Sequence, residues 1–191
     1  FEDILGNLKK FIDQGKIKHV GLSNETPWGL SKFLELSENK KLPRMLSVQN
    51  PYNLLNRTYE VGLAEMSVRE KVGLLAYSPL AQGVLSGKYI DGNLPEGARG
   101  TLFPRFIARY RNKGSEAAVL KYLEIAKKNN LTLTELSLAY INQLPFVTSN
   151  IIGATKMSQL KENINSIYVE LSDENLKEIE AVHAAIPNPA P

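Results

Sequence analysis

The chain of 191 residues is 43% hydrophobic, contains no cysteine, and carries 23 lysines and arginines against 20 aspartates and glutamates, for a net charge of +3. That composition is ordinary for a globular protein able to bury a sizeable core. It excludes disulfides and thiolate metal sites, and no apolar run approaches the ~20 residues that cross a bilayer.

In chain order, Ile4, Leu5, Leu8, Phe11 and Ile12 recur on one helical face, so the spacing predicts a helix over Asp3–Gln14 that stops at Gly15. Ile17–Leu22 reads as the first strand. Thr26-Pro27 then supplies an N-cap and a proline at the first helical position. The helix behind it runs to about Asn39, with Leu30, Phe33, Leu34 and Leu36 inward. Pro43 breaks the chain before a second strand, Met45–Gln49. Asn56-Arg57-Thr58 leads into a third helix ending near Lys71, and Gly73–Tyr77 is the third strand. Residues 81–114 hold Gly83, Gly87, Gly92, Gly97, Gly100, Gly114, Pro95 and Pro104 and read as a long loop, a feature that is usually functional or disordered. Ser115–Asn130 is a helix outside the strand–helix rhythm. Thr132 and Glu135 form a capping box for a helix ending near Gln143. Asn150–Gly153 is the fourth strand, Lys156–Asn165 its helix, and Ser172-Asp173-Glu174 opens a last helix to about Ala185 before a proline-rich tail.

Four times, then, an apolar run ends in a polar cluster and a helix. Each run is apolar enough for a strand buried on both faces, and each polar cluster stands at the carboxyl end of its strand, where α/β sheets gather their ligand contacts. The pattern predicts an α/β chain with parallel crossovers, half of a (β/α)₈ barrel, since a complete barrel takes roughly 250 residues. Phe1–Gln14 begins without an initiator Met or leader-like composition, so the chain is expected to be one partial domain over residues 1–191, with the amino-terminal half of the barrel absent.

Several of the clusters suit a nucleotide. Ser23, Asn24 and Gln49 offer a hydroxyl and two carboxamides, matched to an amide such as that of nicotinamide; Ser and Asn also cap loops. Tyr77 precedes Ser78-Pro79-Leu80 and can stack on a flat heterocycle or fill the core. Backbone donors of the loop that follows can meet a pyrophosphate. Gly83–Lys88 is one residue short of a P-loop, and Tyr89 stands where Ser or Thr would bind magnesium, so only Lys88 is kept as a phosphate partner. No G-x-G-x-x-G is present, which rejects a Rossmann site. Residues 88–113 hold Lys88, Arg99, Arg105, Arg109, Arg111 and Lys113 against only Asp91 and Glu96. A local basic loop fits one anionic ligand better than a nucleic-acid surface, which would need a broad stripe; a solvated loop carries such charge equally well. Thr155 and Lys156 open a helix whose amino terminus favours anions. Gln159, Glu162 and Asn163 share one face of it, suited to an adenosine or to solvent. His19 and His183 lack partners at metal-ligand spacing.

Together, GKIKHVGLSN, SVQNPYNLLNR, LLAYSPLAQGVLSGKY and IIGATKMSQLKENI resemble the second half of the aldo-keto reductase superfamily, in order and spacing from Phe1 to Pro191. GARGTLFPRF and LSDENLKEIEAVH are most similar to its Tas-type NADP(H)-dependent group. The resemblance implies the C-terminal half of a (β/α)₈ TIM barrel, with two extra helices (Ser115–Asn130 and Ser172–Ala185) and the long loop after the third strand. It implies reduction of aldehydes or ketones with NADP(H), a small-molecule carbonyl substrate, and no nucleic acid or membrane partner. Carried over residue by residue, Ser23, Asn24 and Gln49 hold the nicotinamide carboxamide and Tyr77 stacks on one nicotinamide face. Ser78, Leu80, Gln82 and Lys88 line the pyrophosphate. Arg105, with Arg99 as competitor, clamps the phosphates, and Thr155, Gln159, Glu162 and Asn163 hold the adenosine end with its 2′-phosphate. The family's catalytic Asp, Tyr, Lys and His fall in the absent half, so no residue here is assigned to catalysis and the chain alone is expected to be inactive. The alternative is a non-catalytic NADP(H)-binding regulator similar to potassium-channel β subunits.

Overall fold

The computed structural model describes residues 1–191. Its elements are α1 (Glu2–Asp13), β1 (Val20–Ser23), α2 (Pro27–Lys40), β2 (Met45–Pro51), α3 (Leu63–Glu70), β3 (Gly73–Tyr77), the single turn α4 (Arg99–Leu102), α5 (Lys113–Lys128), α6 (Leu133–Asn142), β4 (Val147–Ile151), α7 (Met157–Asn165) and α8 (Asp173–Ala185). The strands form one sheet in the order β1-β2-β3-β4. β1 and β2 run parallel, Val20 opposite Met45 and Ser23 opposite Gln49. Each strand reaches the next through at least one helix, the crossover that parallel pairing requires. The fold is α/β, as the alternation of apolar runs and helical periods predicts.

The chain divides into two compact units. The first comprises Phe1–Asn50, Tyr59–Leu75 and Pro145–Ser149. Its core joins Leu5 of α1, Phe33 of α2 and Met45 of β2, flanked by Leu8, Val20, Leu22, Leu36 and Leu42. α2 starts where it does because Thr26 Oγ1 accepts from Gly29 N at 3.1 Å, with Pro27 at the position that needs no amide donor. Arg44 closes the entry to β2 by donating from Nη2 to the Glu70 carbonyl at 2.7 Å.

The second unit comprises Pro51–Thr58, Ala76–Leu144 and Asn150–Pro191. Here α5 packs on α6 and α8, burying Tyr122, Leu136, Leu138 and Ile141. The capping box of α6 is formed: Thr132 Oγ1 accepts from Glu135 N at 3.0 Å and Glu135 Oε2 accepts from Thr132 N at 2.8 Å. The carboxyl-terminal tail is bonded inward. Asn188 Oδ1 accepts from Arg57 N at 2.6 Å, Ala190 N donates to Leu55 O at 3.1 Å, and Pro189 O accepts from Asn112 Nδ2 at 3.0 Å.

Several elements differ from the sequence reading. β1 begins at Val20 rather than Ile17, and residues 81–114 hold α4 and short 3₁₀ turns. The strands are not buried on both faces: Gly21 and Ser23 of β1 are exposed between half-buried neighbours, the alternation that the period-two pleat imposes on a one-sided sheet, and Thr148, Ser149 and Ile151 of β4 are exposed without alternating. β4 runs over Val147–Ile151 rather than Asn150–Gly153; its polar Thr148-Ser149-Asn150 centre carries no apolar signal. The third helix begins only at Leu63, after a 3₁₀ turn over Thr58–Glu60, since Gly62 at φ 95° breaks the helical path.

Candidate functional site

In the first unit, register brings three of the expected residues together. Ser23 and Gln49 are opposite one another at the ends of β1 and β2, and Asn24 N donates to Gln49 O at 3.0 Å. Asn24 sits at φ 52°, a left-handed conformation that asparagine tolerates better than most residues. The next peptide is fixed by a residue the sequence did not single out. Asn50 Oδ1 accepts from Glu25 N and Asn50 Nδ2 donates to Glu25 O, both at 3.1 Å. Ser23 and Asn24 are exposed and Gln49 half-buried, so a hydroxyl and two carboxamides stand at the ends of paired strands.

In the second unit, β3 delivers a half-buried Tyr77, whose carbonyl accepts from Tyr52 N at 3.2 Å. The chain then turns through left-handed residues: Ser78 (φ 54°), Ala81 (49°), Gln82 (58°) and Gly83 (95°). Each non-glycine residue there costs on the order of 1 kcal/mol, so the turn depends on outside bonds. Ser78 O accepts from Ala81 N at 2.8 Å and from Asn53 Nδ2 at 3.0 Å. Leu80 spends its carbonyl on Gly83 N at 2.7 Å and Leu85 N at 3.1 Å.

Gln82 bridges outward from this turn. Its Nε2 donates to Ser78 Oγ at 2.8 Å and its Oε1 accepts from Arg99 Nη1. Lys88 lies over Gly83 so closely that a Cβ on that residue would stand 2.8 Å from Lys88 Cε and 2.9 Å from Nζ. Burial pushes the Lys88 ammonium below the usual lysine range, and the nearby Arg99 guanidinium pushes it further. Neither cation is ion-paired with a carboxylate of the chain. Arg105 is not part of this set: it is exposed in the turn Pro104–Phe106 with its guanidinium 5.2 Å from the centre of the Phe106 ring.

The third set opens α7. A single oxygen, Gln159 Oε1, accepts from Thr155 N at 3.0 Å, Thr155 Oγ1 at 3.2 Å and Lys156 N at 3.2 Å. Glu162 Oε1 accepts from Thr132 Oγ1 at 2.8 Å, and the buried Asn163 donates from Nδ2 to Gly153 O at 3.3 Å. All four candidates lie on α7 or just before it, each engaged in an internal bond.

Sequence reasoning also missed a buried polar segment. Asn53, Asn56 and Arg57 are almost wholly enclosed. Arg57 meets Glu180 twice, Nη1 to Oε1 at 2.8 Å and Nη2 to Oε2 at 3.1 Å, and Tyr140 donates its hydroxyl to Glu180 Oε1 at 3.0 Å. Burial pushes the Glu180 carboxyl up, but the bonds and charge of Arg57, with the Tyr140 hydroxyl, outweigh it and hold Glu180 below its ordinary value. Tyr110 is also buried, and burial raises its phenol against a smaller opposing pull from the Asn53 side chain nearby. The only hint in the sequence is the density of amides in NPYNLLNR, which equally describes an exposed turn. No group of three or more metal-ligating side chains exists.

The first unit carries a hydroxyl and two carboxamides at the ends of β1 and β2; the second carries an aromatic face at the end of β3, two cations without a carboxylate partner after it, and hydrogen-bonded amides at the start of α7. Against known proteins, residues 1–184 match the family model described as the aldo/keto reductase family. The chain is 49% identical over 189 residues to "Protein tas" of Escherichia coli (strain K12), covering 99% of this chain and 54% of that protein. It is 39% identical over 189 residues to an "Aldo-keto reductase" of Babesia bovis, covering 95% of this chain and 66% of that one. It is 30% identical over 185 residues to an "L-glyceraldehyde 3-phosphate reductase" of Escherichia coli O157:H7, covering 94% and 53%. The chain thus spans between about half and two thirds of the length of these curated relatives.

Proposed function

The chain belongs to the aldo/keto reductase family, and from that premise we propose that it is the C-terminal, cofactor-holding half of a (β/α)₈ barrel, one partial domain of an NADP(H)-dependent reductase of aldehydes or ketones. The observation that carries the reading is the pairing of Lys88 with Arg99 beside a glycine cradle and without a carboxylate partner. Two cations held together at a cost in mutual repulsion call for an anion, and a pyrophosphate supplies one of the right charge.

The chain's own residues then have distinct tasks. Ser23, Asn24 and Gln49 orient a carboxamide by donating to its oxygen and accepting from its nitrogen. Tyr77 covers one face of the attached ring and leaves the other open. Ser78, Leu80 and Gln82 shape the turn, while Lys88 and Arg99, the latter in preference to Arg105, neutralise phosphate oxygens. At α7, Thr155 and Lys156 donate to the distant phosphate once Gln159 releases them, and Gln159, Glu162 and Asn163 border the adenosine. The cofactor, when bound, supplies a hydride to a carbonyl carbon. By the family resemblance the residues that deliver the proton completing the alcohol belong to the amino-terminal half of the barrel, so the part proposed for this chain is binding and orientation, and by itself it is expected to be inactive.

Titration of the full-length protein, with the amino-terminal half of the barrel present, against NADPH and NADH, followed by nicotinamide fluorescence, and aldehyde-dependent loss of NADPH absorbance test the reading. NADPH is expected to bind more tightly than NADH and to be oxidised. Failure to bind either nucleotide overturns the assignment; binding without turnover with any aldehyde or ketone leaves a nucleotide-binding protein that is not a reductase.

A further inference from the structure

The left-handed turn after β3 cannot be maintained by local preference, because three of its four left-handed positions are not glycine. Something outside must hold it. The only side chain that donates to it from another segment at the Ser78 peptide is Asn53, which has no exposed surface. A fully buried carboxamide has to place both its nitrogen and its oxygen. Asn53 does so on two stretches of chain. Its Oδ1 accepts from Leu55 N at 2.9 Å and its Nδ2 donates to Ser78 O at 3.0 Å.

Ser78 opens the segment that carries the basic loop, so Asn53 fastens that loop where it leaves β3. From Ser78 the connection continues outward through Oγ to Gln82 Nε2 at 2.8 Å and from Gln82 Oε1 to Arg99. Without that hold, the long segment after the turn would lose more conformational entropy whenever Arg99 came to a fixed place, a cost that grows with the free length of a loop.

We propose that Asn53 is a positioning residue for the anion-binding turn: it fixes the Ser78 peptide and, through Gln82, sets where Arg99 stands. The inference rests on the nucleotide reading above for the ligand, but the mechanical part does not. Asn53 touches no phosphate; it acts through Ser78 and Gln82.

The test compares Asn53→Ala, Asn53→Asp and Gln82→Ala in the intact protein. Asn53→Asp keeps the acceptor for Leu55 N but sets a carboxylate oxygen against the Ser78 carbonyl, so the donor alone is lost. Without ligand, amide hydrogen exchange at Ala81, whose N–H shares the Ser78 carbonyl, is expected to accelerate about tenfold or more in both Asn53 variants, while Asn24, bonded to Gln49, keeps its protection. With NADPH, each of the three variants is expected to raise Kd about tenfold, the loss typical of one hydrogen bond to a charged group, and that increase is expected to vanish in an Arg99→Ala background. A purely structural role for Asn53 would instead lower melting temperature and leave the increase the same in both backgrounds, which overturns the proposal. Unchanged Ala81 exchange in a folded Asn53 variant overturns it too. If neither Asn53 variant folds, Gln82→Ala decides, because its half-buried side chain supports the relay only; an unchanged Kd there overturns the link to Arg99. Should the unaltered protein fail to bind NADPH, the nucleotide reading falls by itself and the exchange data alone judge whether Asn53 holds the turn.

Discussion

The turns after β3 and after β4 carry similar chemistry, a hydroxyl, an amide and a lysine near a glycine, yet they prepare for a ligand in opposite ways. After β3, strained backbone and paired cations are left without a carboxylate, so an arriving anion relieves repulsion. After β4, Gln159 already satisfies the amides of Thr155 and Lys156, Thr132 holds Glu162, and Gly153 holds Asn163. A ligand there must exchange one set of hydrogen bonds for another, which yields little net free energy. The lesson is that donor type alone does not rank binding groups; what each is bonded to beforehand does.

The contrast is most easily broken at its charged side. Removing both cations, in Lys88→Ala with Arg99→Ala, is expected to weaken NADPH about 100-fold or more, from about 1.5–3 kcal/mol per charged hydrogen bond, and to flatten the salt dependence of Kd. Glu162→Ala, which opens a bond to Thr132, is expected to change Kd by less than about tenfold. Equal losses from the two by fluorescence titration would erase the distinction between the turns.

A matched glycine pair sharpens it. Gly83 is at φ 95° under Lys88, whereas a Cβ on Gly153 meets nothing within 4 Å. Gly83→Ala is expected to cost about 1–3 kcal/mol in urea unfolding, and Gly153→Ala to stay within about 0.5 kcal/mol of the parent. Comparable losses at both positions would show that the strain is not concentrated after β3.

The smallest effect is in pH. Lys88 is held below the lysine range by burial and by Arg99, so the folded chain gives up that proton more readily than the unfolded one. Its charged form therefore costs stability below the folded pKa, and the cost is relieved as pH rises through it. Nucleotide binding has the opposite sense, since an anion favours the protonated amine. NADPH affinity is expected to fall by a few-fold as pH approaches, from below, the ordinary lysine value of about 10.4, and Lys88→Arg is expected to flatten that decline.

How much of this was legible depended on how local the determining interactions are. β3 is found at Gly73–Tyr77, where its apolar run lies, and α6 opens at the Thr132–Glu135 capping box, because strand period and caps are settled within a few residues. β4 was displaced because Thr148 and Ser149 face solvent and leave no apolar alternation to read. The residue types of the proposed site were visible in the sequence; their bonding states were not. Arg99 reaches Gln82 across 17 positions and Arg57 reaches Glu180 across 123. Nothing in NPYNLLNR shows that it is enclosed, because Asn53 is held by Ser78 of the turn after β3 and Arg57 by Glu180 and Asn188, all distant in sequence.

That distant end has a mechanical consequence. Residues 188–190 are bonded to Arg57, Leu55 and Asn112, so loosening them, as in Asn188→Ala, would slacken the very stretch from which Asn53 reaches out. A stretch that looks like trailing packaging works as a drawstring, and slackening it should be felt first at the basic loop.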